Sequence, residues 1–405
     1  MLSGQNARMK ITRAECLHAD GGYRTCSFVK LSTDQGLVGW AEYYDSFSGA
    51  RLEPIILEYA KLAAGMDPRQ VGRLSETLLA TTRLAAGGLA QQAIAAIENA
   101  CLDIAGKALG VPVHVLLGGP LRQRVPVYWT HCGSYRVGPR AAFYTQELGY
   151  PPIRTLDDLA AVAREAVAQG YRGVKTNPVF FDRETPYFFS GGFRIAPGFL
   201  DRSISDRHLN AIVDQMSAYR EAIGPDVALM LDLSFSQRTE GYLRLARALE
   251  PVQLAWLEVD INDPQALGFI RTNSRMPIAS LESLHGIAEY RPFLAQQTVD
   301  TCIIDPMWNG TWQSARIAAF ADAFETTMAP HNPVGELGSL MSLHLSAACA
   351  NLRIMELRVD EAPWTREYLT HPPVVENGEM LVPDRPGWGT EVNEDAIRAR
   401  PPRTR

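Results

Sequence analysis

The sequence predicts an α/β protein: a modified (β/α)8 barrel of the TIM type, preceded by a smaller α+β domain. In the second half of the chain, five acidic or basic residues each follow a short apolar run, and the gaps between them are 26, 24, 23 and 26 residues. That interval fits one buried strand and one returning helix, repeated. Because strand ends converge on one face of such a barrel, we expect these side chains to share a pocket. The five residues are Asp232, Glu258, Glu282, Asp305 and His331.

The first part of the chain, roughly residues 1–120, is predicted to form the α+β unit. Three β-rich runs between residues 9 and 44 are separated by Asp20-Gly21-Gly22 and Asp34-Gln35-Gly36, which is typical of an antiparallel meander. From residue 52 to residue 109 the apolar residues recur at three- and four-residue steps, which predicts helices. Gly110-Val111-Pro112 then ends the last helix.

Strands and helices alternate from residue 125 onward, and this alternation predicts parallel pairing. The candidate strands number eight, as a closed barrel requires. They are residues 125–131, 172–177, 227–232, 254–258, 277–282, 301–305, 326–331 and 353–357.

Two connections are too long to be simple turns, residues 132–153 and residues 178–205. The second is aromatic and apolar, so we predict that it packs as a lid over the pocket. The terminal run RARPPRTR, residues 398–405, is predicted to be disordered.

The composition predicts a soluble cytoplasmic protein. The 405 residues are 46% hydrophobic and 21% charged, and the net charge of −6 argues against a nucleic acid or an anionic membrane as partner. The six cysteines are scattered without a CxxC motif, which is typical of reduced thiols. The first ten residues lack the apolar core of a signal peptide, and no apolar run is long enough to span a bilayer.

The run AIAAIENACLDIAGKALGVPVHVLLGG, residues 93–119, resembles the signature helix of the enolase superfamily in its mandelate racemase-like branch. The five spaced residues, Gly310 and the closing run PGWGTEVNED (386–395) match that branch in order. The resemblance implies a capping domain over residues 1–120, a barrel over residues 121–360, and a segment over residues 361–405 that returns to the cap. It also implies a homo-oligomer.

The resemblance implies a Mg²⁺ site, which agrees with the preference of hard divalent cations for carboxylate oxygens. The alternative is that the carboxylates are solvated or paired in salt bridges. Three departures from the family pattern leave the ligands in place: Val259, Leu233-Ser234 and Leu281. The implied metal ligands are Asp232, Glu258 and Glu282.

The other implied site residues carry the proton chemistry and bind the substrate carboxylate. His331 and Asp305 match a His–Asp dyad, in which the carboxylate fixes the tautomer of the ring. Lys175 matches the first lysine of a Lys-x-Lys pair, and Glu356 matches a glutamate that bonds the substrate carboxylate. The second lysine position holds Asn177, whose amide is unable to act as a base. The alternatives are a core histidine, a helix-capping aspartate, a rim lysine and a rim ion pair.

Further residues are candidates for substrate contact without a motif that decides their role. They include Asn177 and, in the cap, Tyr23. The lid offers Tyr187 and Arg194, for which aromatic packing over the pocket is the alternative. His131 ends the first barrel strand, so it could reach the pocket or be a satisfied core histidine.

HNPVG (331–335) and MELRVDEAPW (355–364) resemble the acid-sugar dehydratases of the branch. The resemblance therefore implies a Mg²⁺-dependent hydro-lyase that removes a proton next to a carboxylate and forms a 2-keto-3-deoxy acid from an aldonate or aldarate. The alternatives are a racemase, epimerase or cycloisomerase of a hydroxy or anhydro-sugar acid, and a non-catalytic barrel.

Overall fold

The computed structural model describes residues 8–45, 51–189, 202–333 and 335–403. Its first layer is an antiparallel sheet in the order β1-β2-β3, as the meander predicts. These strands are Ile11–Asp20, Thr25–Thr33 and Val38–Tyr43. Helices α1 to α4 follow, at Glu53–Ala63, Val71–Thr81, Gly88–Leu109 and Val113–Leu116.

The long helix α3 is the buried centre of this first domain. It carries Ala, Ile and Leu on most of its faces, and nearly every position from Ala90 to Gly106 is buried. Gly110 ends it in the left-handed conformation at φ +69, which glycine adopts without a steric penalty. At Gly39 of β3 an added Cβ would lie 2.0 Å from the Ala100 carbonyl oxygen, so sheet and helix touch backbone to backbone.

All eight predicted barrel strands form, and their pairings with one another are parallel. The ring runs β4-β5-β8-β9-β10-β11-β12, β13 pairs with β4, and a parallel bridge between Met328 and Leu352 joins the last two strands. The prediction of a (β/α)8 barrel is therefore confirmed. The strands are β4 Arg124–Trp129, β5 Gly173–Thr176, β8 Ala228–Asp232, β9 Trp256–Glu258, β10 Ile278–Ser280, β11 Thr301–Ile304, β12 Thr327–Pro330 and β13 Met355–Leu357.

Helices return between the strands and cover the outside of the ring. The mouth of the barrel is the face formed by the carboxyl ends of its strands. Below the mouth a layer of side chains fills the interior, so the barrel is a packed core with a site at one end. That layer contains Tyr128, Met230, Trp256, Ala279, Ile303, Ala329 and Ile354. The helices are α5 Leu156–Ala168, α6 Asp206–Ile223, α7 Thr239–Leu249, α8 Pro264–Thr272, α9 Gly286–Ala295, α10 Pro306–Asn309, α11 Thr311–Asp322 and α12 Glu336–Ala348. None of the described helices is long and apolar enough to cross a membrane.

Both long connections carry structure of their own. Residues 132–153 form short 3₁₀ turns and one π-helical turn, and they bury Phe143 and Tyr144. The predicted lid begins with a hairpin of β6, Val179–Phe180, and β7, Tyr187–Phe188. The rest of the lid over residues 190–201, including Arg194, lies outside the described residues.

The C-terminal segment crosses from the barrel to the first domain. Its hairpin, β14 Val375–Glu376 and β15 Glu379–Leu381, pairs antiparallel with β4. Trp388 then donates its Nε1–H to the Trp40 carbonyl at 2.8 Å. The prediction of disorder in the tail is wrong for residues 398–403, because α13, Glu394–Ala399, extends into it and Arg403 forms ion pairs with Asp20 and Glu147.

Candidate active site

The predicted site residues lie at the carboxyl ends of successive barrel strands, and the structure brings them to one face. Lys175 lies in β5, two carboxylates end β8 and β9, and the remaining groups follow β10, β11 and β12 or lie in β13. Lys175, Glu258, Asp305 and Glu356 are at most 2% exposed. The seven residues are Lys175, Asp232, Glu258, Glu282, Asp305, His331 and Glu356.

Asp305 and His331 form the predicted dyad. The Asp305 Oδ2 atom lies 2.7 Å from His331 Nδ1, while Oδ1 accepts the backbone N–H groups of Met307 and Trp308 at 2.7 and 3.0 Å. The helix-capping alternative is thus also realised, because one carboxylate serves both partners. Since the cap fixes the carboxylate, it also fixes the ring, with Nε2 directed into the site and 3.4 Å from Glu282 Oε2.

The charge around His331 favours the protonated ring. Burial alone would lower its pKa, but Glu282 and the hydrogen-bonded Asp305 outweigh burial and raise the pKa of His331 to about 10. In this arrangement the imidazolium can donate a proton from Nε2 into the pocket.

Lys175 is held between two carboxylates. Its Nζ atom lies 3.0 and 3.1 Å from the two oxygens of Glu258 and 3.1 Å from Glu356 Oε1. Burial lowers the pKa of Lys175, but Glu258 and Glu356 together raise it well above its usual value. Glu356 Oε2 accepts the Asn332 backbone N–H at 2.9 Å, so it ties Lys175 to the residue after His331.

The three carboxylates of the predicted metal set repel one another. Burial, followed by the charges of Asp232 and Glu282, raises the pKa of Glu258 to about 8 against the opposing charge of Lys175. Asp232 Oδ1 accepts the Ser234 backbone N–H at 2.7 Å.

Asp260 is a fourth buried carboxylate here, and the sequence reasoning missed it. It lies two positions beyond Glu258 and is 2% exposed, and Ser280 donates to its Oδ1 at 3.3 Å. Among the described residues its Oδ2 has no hydrogen-bond partner. Burial, then the charges of Glu282 and Asp232, raise the pKa of Asp260 well above its usual value. The signal was the spacing in LEVD, since residues two apart in extended chain share a face.

The donor chemistry of this cluster fits a hard divalent cation, because every candidate ligand is a carboxylate oxygen and the like charges are incompletely compensated. As they lie, the carboxylates are turned toward protein partners. Within the described ranges, no three His, Cys, Asp or Glu side chains are grouped closely enough to hold a metal ion. Asp232, Glu258 and Glu282 supply carboxylates that could hold such a cation, and the Asp260 carboxylate is near enough for its pKa to feel theirs.

Of the remaining candidate residues, Asn177 and Tyr23 reach the mouth of the barrel and Tyr187 has no described contact with the site residues. Asn177 follows β5 and hydrogen-bonds His131 at 2.6 Å, so it belongs to the mouth of the barrel. Tyr23 of the cap also reaches the mouth, where its ring lies 6.1 Å from that of Tyr135, edge to face. Tyr187 packs within the lid hairpin, with its ring 5.6 Å from Phe180, and no described contact joins it to the dyad or the carboxylates.

Two family models match most of the chain. Residues 19–118 match the mandelate racemase / muconate lactonizing enzyme N-terminal domain, and residues 158–396 match the enolase C-terminal domain-like model. The chain belongs to the enolase superfamily, in its mandelate racemase-like branch. It is therefore an enzyme.

Relatives with named activities include sugar-acid dehydratases. A D-galactonate dehydratase family member from Streptomyces bingchenggensis is 28% identical over 92% of this chain and 89% of its own. A D-xylonate dehydratase from Haloferax volcanii is 28% identical over 96% of this chain and 88% of its own.

A solved structure from Burkholderia xenovorans strain LB400 is 40% identical, with a TM-score of 0.92 over 98% of this chain and 99% of its own. That protein is provisionally named an L-alanine-DL-glutamate epimerase. A second structure under the same name, with a TM-score of 0.93, is bound to magnesium and fumarate and covers 98% of this chain and 97% of its own.

Proposed function

We propose that this enzyme is a Mg²⁺-dependent hydro-lyase that converts an acid sugar, an aldonate or an aldarate, to a 2-keto-3-deoxy acid. The observation that carries the proposal is the His331–Asp305 pair at 2.7 Å, held at the same barrel mouth as Lys175 and the carboxylate set. The galactonate and xylonate dehydratases among the relatives support the reaction. The structural relative bound to magnesium and fumarate supports the metal and a carboxylate ligand.

The first requirement of the reaction is to acidify the hydrogen next to the substrate carboxylate. Mg²⁺, held by Asp232, Glu258 and Glu282, would act as a Lewis acid on the substrate carboxylate. Lys175 carries a buried positive charge beside that set, and we assign it the same role for a substrate carboxylate oxygen. Glu356 also pairs with Lys175, at 3.1 Å, and keeps its ammonium in the site.

The second requirement is to help the β-hydroxyl leave. His331 has its Nδ1 bonded to Asp305 and its Nε2 directed into the site, so it can protonate that hydroxyl, which departs as water. The environment that favours an imidazolium makes His331 suitable as the acid of this step.

Epimerisation is the second candidate, because the epimerase name belongs to a structure 40% identical to this chain. A one-carbon proton exchange needs acid–base groups on both faces of the α-carbon. On β5, where the resemblance places a second lysine, Asn177 is unable to supply one. Dehydration needs its acid at the neighbouring oxygen instead, which favours elimination.

The test is a screen of the purified enzyme with Mg²⁺ against aldonic and aldaric acids, with 2-keto acid formation as the readout and EDTA-treated enzyme as the control. We expect at least one EDTA-sensitive hit, lost in His331→Asn and retained in His371→Asn, because His371 is exposed and remote in sequence from the dyad. Deuterium incorporation at the α-carbon in D₂O without loss of water would contradict dehydration and support epimerisation.

We also propose that the enzyme is a cytoplasmic homo-oligomer whose partner is its small carboxylate substrate. All six cysteines are free, which supports a reducing compartment. Light scattering after size exclusion tests the oligomer, and a monomer at micromolar concentration would contradict it.

A further inference from the structure

His131 occupies an unusual backbone position at the end of the first barrel strand. Its φ of +51 lies in the left-handed region, which costs a non-glycine residue free energy that the surrounding structure must supply. The flanking residues are tied to both neighbouring strands, since the Thr130 N–H donates to the Leu357 carbonyl and the Cys132 N–H donates to the Lys175 carbonyl. The strained turn is thus held from both sides, and it places the imidazole at the barrel mouth.

A chain of hydrogen bonds sets the tautomer of this ring. The Asn177 side chain donates from Nδ2 to the Asp232 carbonyl at 3.2 Å, so its Oδ1 is directed the other way. Oδ1 accepts the Ser134 hydroxyl at 3.1 Å and lies 2.6 Å from His131 Nδ1. Because an amide oxygen only accepts, Nδ1 must carry the proton. The Nε2 atom of a neutral His131 is therefore the basic one.

The surroundings keep His131 neutral and its ring fixed. The ring stacks on Tyr135 with centroids 3.7 Å apart and planes 9° apart. Burial lowers the pKa of His131 to about 4, although the charge of Glu356 opposes this. Among the described residues, none forms a hydrogen bond to Nε2, and the residue keeps 9% of its surface exposed.

His131 and His331 follow nearby strands of the ring, β4 and β12, which are separated by β13. His131 follows β4 and bonds a residue just beyond the neighbouring β5. His331 follows β12 and contacts the residues that follow β11 and β10. Glu356 of the intervening β13 bonds Lys175 of β5, and the charges of both histidines act on Glu356. A substrate carboxylate held at Lys175 would therefore lie in the same part of the barrel mouth as both histidines.

We propose that His131 is the base that removes the α-proton, and that Asn177 is the positioning residue that holds it in the reactive tautomer. This rests on the proposed function, in which His331 is the acid. His131 Nε2 takes the proton, and the electron pair of the C–H bond moves toward the carboxylate as an enediolate. The pair then forms the C2–C3 double bond and breaks the C3–O bond, and the hydroxyl leaves as water with the proton of His331. The resulting enol becomes the keto acid when C3 takes up one proton and the C2 hydroxyl releases one, and proton exchange with solvent returns both histidines to their starting states.

The first test is His131→Gln, with His371→Gln as the matched control on the exposed surface. We expect kcat to fall by about 10²–10⁴-fold in His131→Gln, the usual contribution of a general base, with no change in the control. Circular dichroism and thermal unfolding establish that the variant is folded. If the wild type dehydrates an acid and the kcat of His131→Gln lies within threefold of the wild-type value, the inference is overturned and the proposed function still stands.

The second test does not depend on water loss. The R and S forms of a 2-hydroxy-3-deoxy acid have no β-hydroxyl, so in D₂O they can only exchange the α-hydrogen. We expect wild type and His331→Asn to exchange the α-hydrogen of one enantiomer, and His131→Gln to lose that exchange. This pattern without dehydration of any screened acid would support the inference and contradict the proposed function. Equal exchange in wild type and His131→Gln, or none in wild type, would overturn the inference.

Asn177 is tested by comparing a substitution that keeps the acceptor with one that removes it. Asn177→Asp still accepts from Nδ1 and adds negative charge, so it should retain activity while the acidic limb of the kcat/KM pH profile moves to higher pH. Asn177→Leu should lose at least tenfold in kcat. A Leu variant as active as wild type, or an Asp variant with an unmoved profile, would contradict the positioning role.

Discussion

Asp305 offers a clean separation of chemistry from stability, because its two oxygens have different partners. Oδ1 caps the start of α10 and Oδ2 binds His331. Asp305→Asn keeps an oxygen for the cap and places an N–H group against Nδ1. Since two donors repel, the ring must lose its Nδ1 proton or turn away, and either change removes the oriented imidazolium that the dyad maintains.

The expected cost falls on catalysis rather than on folding. Loss of a correctly oriented acid–base histidine typically lowers the rate by about 10²–10⁴-fold, which corresponds to roughly 3–5 kcal/mol in the barrier. The cap survives in Asp305→Asn, so the free energy of unfolding should change by about 1 kcal/mol or less. Asp305→Ala also loses the cap and should cost a further ~1–2 kcal/mol of stability.

Asp263 provides the matched control. It caps α8 by accepting the N–H groups of Gln265 and Ala266 at 2.8 and 3.3 Å, and it is exposed. Asp263→Asn should leave both kcat and the urea midpoint unchanged. The assay is kcat on the best acid from the screen, with urea unfolding of each variant. An Asp305→Asn enzyme within threefold of the wild-type kcat would refute the assigned role of the dyad.

Three further predictions concern stability and metal binding. Glu98→Ala should lower the free energy of unfolding, measured in urea, by about 2–4 kcal/mol. Buried Glu98 accepts the N–H groups of Trp312 and Gln313 at 3.0 and 3.2 Å, and these groups would lose their acceptor. Glu98→Gln should lower it by less than half as much, and equal losses would contradict this. Burial and the charge of His114 lower the pKa of His344 to about 3, so its contribution is present above the unfolded value near pH 6.5 and is lost as pH falls. From pH 7 to pH 5 the wild type should therefore lose about 2 kcal/mol more than His344→Asn in urea unfolding, and parallel pH profiles would contradict it. Mg²⁺ at 100 times its Kd should stabilise the wild type by about 2.7 kcal/mol in thermal unfolding and should not stabilise Asp232→Asn, whereas an equal shift in both would argue against Asp232 as a ligand.

The barrel could be predicted from the sequence because buried parallel strands leave a strong local signal. Each strand is a short apolar run, and its first polar residue marks the point where the chain reaches the mouth. Asp232 and Glu258 end their strands, and Asp305 and His331 follow theirs directly. The ends of the apolar runs in the sequence therefore predict which side chains the fold brings together.

Asp260 shows where this reasoning stops. The spacing of Glu258 and Asp260 places them on one face only while the chain stays extended, and Asp260 lies beyond the end of β9, where the sequence does not fix the backbone. Asp260 follows Val259 outside β9 and is nevertheless buried beside the carboxylates. Burial of this kind depends on a neighbouring strand, here β10, whose last residue Ser280 donates to Asp260.

The order of the tail and the role of His131 were not predictable from the sequence for a related reason, because both depend on contacts between distant parts of the chain. A basic, proline-containing run is typical of disorder, but Arg403 finds Asp20 and Glu147 from distant parts of the chain. Likewise the sequence around Asn177 shows only that the second lysine of the Lys-x-Lys pair is absent. Only its bond to His131, 46 positions away, gives the amide a role.

The most direct test of the central claim is mass spectrometry and proton NMR of the products that the Mg²⁺-loaded enzyme forms from the panel of aldonic and aldaric acids in D₂O. We predict a product lighter than its substrate by one water, with a keto group at C2, deuterium at C3 and no product after EDTA treatment. A product that keeps every oxygen and carries deuterium at C2 would contradict the account and would identify the enzyme as an epimerase.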